Sequence, residues 1–318
     1  MSIMARMNGS VDGRVIYAHI DKSLGGGLGT KKIKKILSPG KCLRPRFLYH
    51  FAKPKYQKSS LFYPLASALE CLHLYTLVHD DIIDNDTTRR GIPTLNGLFG
   101  NNQAIILGDI VRAGINSLIL KSLLTPQEKI YSLEILTETD RVVNEGQLHQ
   151  EEVETKPNTF SQAIWESVVW EKTGVLFWAA IALGNPAGDQ ALMREIGKHI
   201  GFLLQTKDDI WDFDLHQDAN RAFSDLRSLS LNWLIIEGKR RIPGFMKKVK
   251  NAKVTKDFQA IADLLKKAGV VESAEQKAIN HKKKILTLLP KLRVSKENAP
   301  HIERELDAIL VIKTKYKK

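Results

Sequence analysis

Only two cysteines, Cys42 and Cys71, occur in 318 residues, which excludes a disulfide framework and a four-cysteine zinc site and suits a reducing compartment. Aromatic residues make up only 7% of the chain and do not interleave with its basic stretches, so no nucleic-acid stacking surface is indicated. No apolar run reads as long enough to span a membrane. The N-terminal stretch, with Arg6, Arg14 and Lys22 among polar neighbours, lacks the apolar centre of a secretory signal, and the cytoplasm is the expected compartment. Convincing alternating strands are missing too. The glycine-rich Gly25-Gly26-Gly27-Leu28-Gly29 follows no strand and precedes no GK[ST], which excludes a nucleotide loop.

What is present is 43% hydrophobic and 26% charged residues, the composition of a globular chain with a sizeable core. Apolar positions recur at helical spacing, as in Leu61, Leu65, Ala68, Leu69, Leu72 and Tyr75, and again in Leu176, Ala179, Ala180 and Leu183. Breakers at Ser38-Pro39-Gly40, Gly91-Ile92-Pro93, Thr125-Pro126, Lys156-Pro157-Asn158, Gly184-Asn185-Pro186 and Ile242-Pro243-Gly244 predict helices of roughly 15 to 30 residues. The expectation is an all-α helical bundle spanning 1–318 as a single domain, with its site between facing helices. The formal charge of +13 suggests a polyanionic partner. It is uneven: residues 239–318 hold 22 Lys and Arg against 8 Asp and Glu, whereas the first 238 residues hold 26 against 27. The surplus belongs to the basic C-terminal helical part, 239–318.

Two acidic clusters stand out. In His79-Asp80-Asp81-Ile82-Ile83-Asp84, at the end of a strongly helical stretch, Asp80 and Asp84 share one helix face, as do Asp81 and Asp84. Like charges at that spacing repel unless a cation lies between them, and hard oxygen donors suit Mg²⁺ bound together with substrate phosphate. The spacing returns as Asp208-Asp209-Ile210-Trp211-Asp212. Two such helix ends could face each other across a cavity and hold several Mg²⁺ against a diphosphate. Cationic donors for it are at hand in Arg89-Arg90-Gly91 and in Lys41 and Arg44 of Gly40-Lys41-Cys42-Leu43-Arg44-Pro45.

Taken together, these blocks resemble the trans-isoprenyl diphosphate synthases, the polyprenyl synthetase family. The family's GKxxRP block stands at Gly40 to Pro45. Its ExxHxxxLxHDDxxD helix followed by RRG matches Glu70, His73, Leu77, His79, Asp80, Asp81, Asp84, Arg89, Arg90 and Gly91. Gly108-Asp109, Gly146-Gln147 and Lys172-Thr173 follow in order, and GxxxQxxDDxxD is Gly201, Gln205, Asp208, Asp209 and Asp212. The resemblance implies the isoprenoid synthase bundle with a central cavity, usually a homodimer. It implies a head-to-tail prenyltransferase that condenses isopentenyl diphosphate with dimethylallyl, geranyl or farnesyl diphosphate.

Residue roles come with the resemblance. Asp80 and Asp84 with Asp81, and Asp208 with Asp212, would hold Mg²⁺, about three ions per site. Arg89, Lys172, Thr173, Gln205 and Arg221 would complete the allylic diphosphate pocket. Lys41, Arg44, His73 and Arg90 would bind isopentenyl diphosphate without metal, and the released pyrophosphate would take the proton. Tyr75, with Thr76 and Leu72 on the same helix, would limit product length; an aromatic there resembles the archaeal-type geranylgeranyl synthases, with C20 expected and C15 or C25 as alternatives.

The chain departs from the pattern in three places. Arg221 stands where the family carries lysine ahead of Asp225-Leu226, Ser230 replaces a second lysine, and Leu204 replaces a phenylalanine. Two rival readings are a non-catalytic or weakly active partner subunit, to which Arg221 and Ser230 give the only support, and a class I terpene synthase, which the second DDxxD opposes. The final lysines, Lys313, Lys315, Lys317 and Lys318, could close over the diphosphate or approach an anionic membrane.

Overall fold

The structure, a computed structural model, describes residues 11–33, 40–89, 91–213 and 222–310. Arg90, Arg221, Ser38, Pro39 and the four final lysines named above lie outside the described residues. Helices α1 (Gly13–Ser23), α2 (Leu28–Ile33), α3 (Leu43–Phe51), α4 (Ser59–Ile83), α5 (Leu95–Phe99), α6 (Asn101–Leu120), α7 (Pro126–Glu154), α8 (Gln162–Val169) and α9 (Val175–Gly184) come first. They are followed by α10 (Gln190–Asp212), α11 (Ser224–Ser228), α12 (Trp233–Arg241), α13 (Phe245–Thr255), α14 (Phe258–Lys267), α15 (Val270–Leu288) and α16 (Ala299–Leu310). Among the described residues the only sheet is a two-residue hairpin, β1 (Thr88–Arg89) antiparallel to β2 (Ile92–Pro93). The all-α expectation holds.

Two compact units are formed, Met1–Arg141 with Leu176–Gln190, and Val142–Val175 with Ala191–Lys318. In the first, α4 packs against α1, α3 and α6. Its buried positions include Phe62, Leu65, Leu69, Leu72 and Tyr75, each side chain of this kind contributing about 1.5–3 kcal/mol on burial. Phe47 of α3 and Phe177 of α9 meet edge to face at 5.3 Å. In the second unit Trp165, Phe202, Trp233, Leu265 and Val270 form the heart of one apolar cluster.

Two expectations change. Helices α4 and α6 are, by length and composition, apolar enough to cross a membrane, contrary to the sequence reading. The apolar window of α4 is 72% buried, as suits a core helix, whereas that of α6 is 44% buried. The C-terminal quarter is also cut into shorter helices than its breakers announce. Left-handed residues stop two of them: Gly269 just after α14, which is visible in the sequence, and Lys256 at φ 61° at the end of α13, which carries no such signal; Leu229 at φ 64° ends α11 in the same way ahead of this quarter.

Candidate active site

The first acidic cluster closes α4. Asp84 is the C-cap residue, its N–H bonding to the Asp80 carbonyl at 2.8 Å. Beyond it the hairpin turns back, with Arg89 opposite Ile92 and Gly91 at φ 78°, and delivers Arg89 Nε to Asp81 Oδ1 at 2.7 Å. Asn96 of α5 bonds the Asp81 and Asp86 carbonyls at 3.2 and 2.9 Å, which ties the loop to the helix end. Burial pushes the Asp81 carboxyl up, against the pull of Arg89. Asp80 is half-buried and Asp84 exposed. The three aspartates therefore differ in exposure: Asp81 is buried against Arg89, Asp80 is half-buried and Asp84 is exposed.

Lys41 is exposed ahead of α3, and half-buried Arg44 lies 5.5 Å over the Phe177 ring. Cys42 between them is buried, and burial pushes its thiol up to about 12, overruling its cationic neighbours. His73 is half-buried, and its carbonyl accepts from Thr76 Oγ1 at 2.8 Å. Tyr75 is 1% exposed. Its hydroxyl donates to Asp140, Arg112 lies 5.5 Å over its ring, and Arg112 clasps Asp140 at 2.6 Å. Gly108 of α6 faces the His79 ring, and a methyl group there would meet His79 Nε2 at 2.5 Å.

In the second unit, Lys172 and Thr173 sit on a π-helical turn, Trp170–Gly174, a feature common at functional sites. Three glycines make room for it. A Cβ on Gly146 would meet Glu171 Cβ at 2.6 Å and Lys172 Cγ at 3.1 Å, and one on Gly201 would meet Gly174 Cα at 2.7 Å. Lys172 Nζ donates to Gln150 at 2.8 Å, Gln150 donates to Glu154 at 2.8 Å, and Glu154 also accepts from Leu231 N at 2.9 Å. His149, for which the sequence suggests no role, pairs with Glu171 at 2.8 Å.

The second acidic cluster ends α10. Asp209 is fully buried and accepts from Trp165 Nε1 at 2.9 Å, Trp233 N at 2.8 Å and Gln205 Nε2 at 2.9 Å. Burial nevertheless pushes its carboxyl up to about 7. Asp212, also buried, accepts from Ser224 Oγ at 2.5 Å and Asp225 N at 3.2 Å. Burial and the charges of Asp212 and Asp209 push Asp225 well up, despite the Asn232 amide at 2.7 Å. Asp208 is exposed.

Each of the two helix ends offers hard oxygen donors that fit a divalent cation. Carboxylates close enough to raise a neighbour's affinity for protons, as Asp212 and Asp209 do for Asp225, also favour a cation, and Mg²⁺ needs only one or two of them when substrate phosphates supply the rest. Among the described residues no three metal-ligating side chains already form a cage. Asp84 and Asp208 are exposed at their helix ends and Asp80 is half-buried. Asp81, Asp209 and Asp212 are buried.

Sequence reasoning missed the supports. Trp165, Trp233, Asn232, Glu154 and Lys277 surround the second cluster, with Lys277 Nζ 3.8 Å from the Trp233 ring and 3.5 Å from Glu166. Only Asp225 was signalled, by its place after the second motif. Ser230 bonds Ser228 Oγ at 2.7 Å, so its hydroxyl is engaged within the loop.

Residues 29–269 match the Polyprenyl synthetase family. The chain is 31% identical over 247 residues to a geranylgeranyl diphosphate synthase of Sulfolobus acidocaldarius, covering 72% of this chain and 74% of that protein. It is 27% identical to a geranylfarnesyl diphosphate synthase of Aeropyrum pernix, over 71% and 76% of the two chains. The crystal structure of geranylgeranyl pyrophosphate synthetase from Pyrococcus horikoshii superposes with a TM-score of 0.81 at 25% identity, covering 94% of this chain and 95% of the other.

Proposed function

Because the chain belongs to the polyprenyl synthetase family and is a trans-prenyltransferase, we propose that it joins isopentenyl diphosphate head-to-tail to an allylic diphosphate. The product is a short-chain all-trans prenyl diphosphate, geranylgeranyl diphosphate first among the candidates. The observation that carries this reading is the sorting of carboxylates at the ends of α4 and α10. At the end of α4 Asp81 accepts from Arg89, and at the end of α10 Asp209 accepts from Trp165, Trp233 and Gln205 and Asp212 from Ser224 and Asp225, while Asp84 and Asp208 are exposed.

Mg²⁺, when bound, would supply Lewis-acid charge to the allylic diphosphate leaving group. Asp80, Asp84 and Asp208 would hold it, and Asp81 and Asp212 would stiffen their helix ends. Arg89, Lys172 and Thr173 donate to the same diphosphate, where charge develops as the carbon–oxygen bond breaks. Lys41, Arg44 and His73 bind the second diphosphate, with Arg90 as a further cation. The C4 carbon of isopentenyl diphosphate then attacks the allylic cation, and loss of a proton to the released pyrophosphate restores an allylic double bond. Tyr75, fixed by Asp140 and Arg112, limits the growing chain.

The protein is a homodimer in this reading. The support is the set of large apolar side chains exposed at the two ends of α6, Ile105 and Ile106 at 44% and 58% at one end and Leu120 at 57% with Leu123 just beyond at 77% at the other.

Incubation of the purified protein with Mg²⁺, isopentenyl diphosphate and each of dimethylallyl, geranyl and farnesyl diphosphate tests the function. Pyrophosphate release with a longer prenyl product, abolished by chelation, is the expected result. No turnover with any starter would replace this reading with that of a non-catalytic subunit.

A further inference from the structure

Residues 238–256 contain Lys239, Arg240, Arg241, Lys247, Lys248, Lys250, Lys253 and Lys256 and no acidic residue. The first three are internally engaged. Arg240 and Arg241 fold back on Glu237 at 2.8 and 2.9 Å, and Lys239 Nζ donates to the carbonyls of Asn158 and Phe160 at 2.6 and 2.8 Å. The other five, on α13 and at its C-cap, are exposed, and none of them forms an ion pair among the described residues. The next carboxylate in the chain, Asp257, is used as the N-cap of α14, accepting from Ala260 N at 3.1 Å.

Helix α13 is anchored through Phe245, Val249 and Ala252, spaced so that one stripe faces the protein. The opposite stripe presents Lys247, Lys250 and Asn251 around Val254, which is 83% exposed. Lys248 and Lys253 flank it. A solvated helix face ordinarily mixes charges of both signs. A face of one sign with an exposed apolar side chain near its C-terminal end suits contact with an anionic headgroup layer.

We propose that α13 is a docking surface for an anionic bilayer. The lysines are complementary to anionic headgroups, which attract such clusters within a Debye length, and Val254 enters the headgroup boundary. Lipid rather than nucleic acid is the partner on two grounds. The face carries no aromatic ring or guanidinium on which a base could stack. The second ground rests on the proposed function: its product is an amphiphile that enters bilayers, so a reaction consuming it there is served by a synthase on the same surface.

The test uses the full-length protein and sedimentation with vesicles of phosphatidylcholine, with and without phosphatidylglycerol. Binding is expected only to the anionic vesicles and is released by salt. The variant K247Q/K248Q/K250Q/K253Q/K256Q is expected to bind at least about tenfold more weakly, with an unchanged melting temperature. Its turnover of soluble short-chain substrates is expected to match wild type. The corresponding Lys→Arg variant is expected to retain binding, separating charge from loss of fold. Equal binding to neutral vesicles, undiminished binding by the Gln variant, or preferential displacement by double-stranded DNA would overturn the proposal. A protein that binds anionic vesicles but turns over no substrate would remove the catalytic reading and leave this one standing.

Discussion

At the scale of single residues, Tyr75 joins chemistry to packing most directly. The hydroxyl donates to Asp140, Arg112 covers the ring, and His79 meets it edge to face at 5.6 Å. Such a ring is held on three sides, which is what the proposed limit on product length requires. Tyr75→Ala is expected to lengthen the prenyl product by at least one isoprene unit, read by chromatography. Removing a buried aromatic costs about 3–5 kcal/mol, so Tyr75→Phe is the control: it leaves Asp140 paired with Arg112, loses about 1 kcal/mol, and keeps the wild-type product. An unchanged length in the Ala variant would remove Tyr75 as the limit.

The glycines of the motifs act at the scale of elements. Gly201 lies so close to Gly174 that any Cβ would strike backbone, and the π-turn carrying Lys172 and Thr173 is seated by that contact. Gly201→Ala is therefore expected to cost about 1–3 kcal/mol and to lower kcat/KM with it. A variant with wild-type melting temperature and activity would show that the turn is not held there. A second element-scale contact joins α10 to α15, where His199 Nδ1 and His281 Nδ1 share a 2.9 Å hydrogen bond and His199 Nε2 meets Glu195 at 3.1 Å. Burial, His199 and Lys277 depress His281 to about 3 from an ordinary 6.5. Between those values the unfolded chain binds a proton that the folded chain does not. Stability is thus full above about pH 6.5 and falls toward pH 3, by up to about 1.4 kcal/mol per pH unit from this group. His281→Gln is expected to flatten that part of the melting-temperature profile, and an unchanged slope would reject the assignment.

For the whole molecule, the exposed side of α6 and the basic face of α13 are the proposed partner surfaces. Ile106→Glu combined with Leu120→Glu is expected to convert a dimer to a monomer in sedimentation velocity, because two charges would be buried unpaired; a dimer that persists would place the interface elsewhere. The sequence by itself determined the helical class, because period-3.6 apolar spacing is local, and the order of the chemical blocks, because charge and residue type are written in it. It could not show that Asp81 and Asp209 are tied to protein donors while Asp84 and Asp208 stay exposed. That sorting depends on Trp165, Trp233 and Arg89, which reach the carboxylates only through tertiary contacts. The same holds for α11 and α13, which end at Leu229 and Lys256 where the backbone turns left-handed and no residue type announces it.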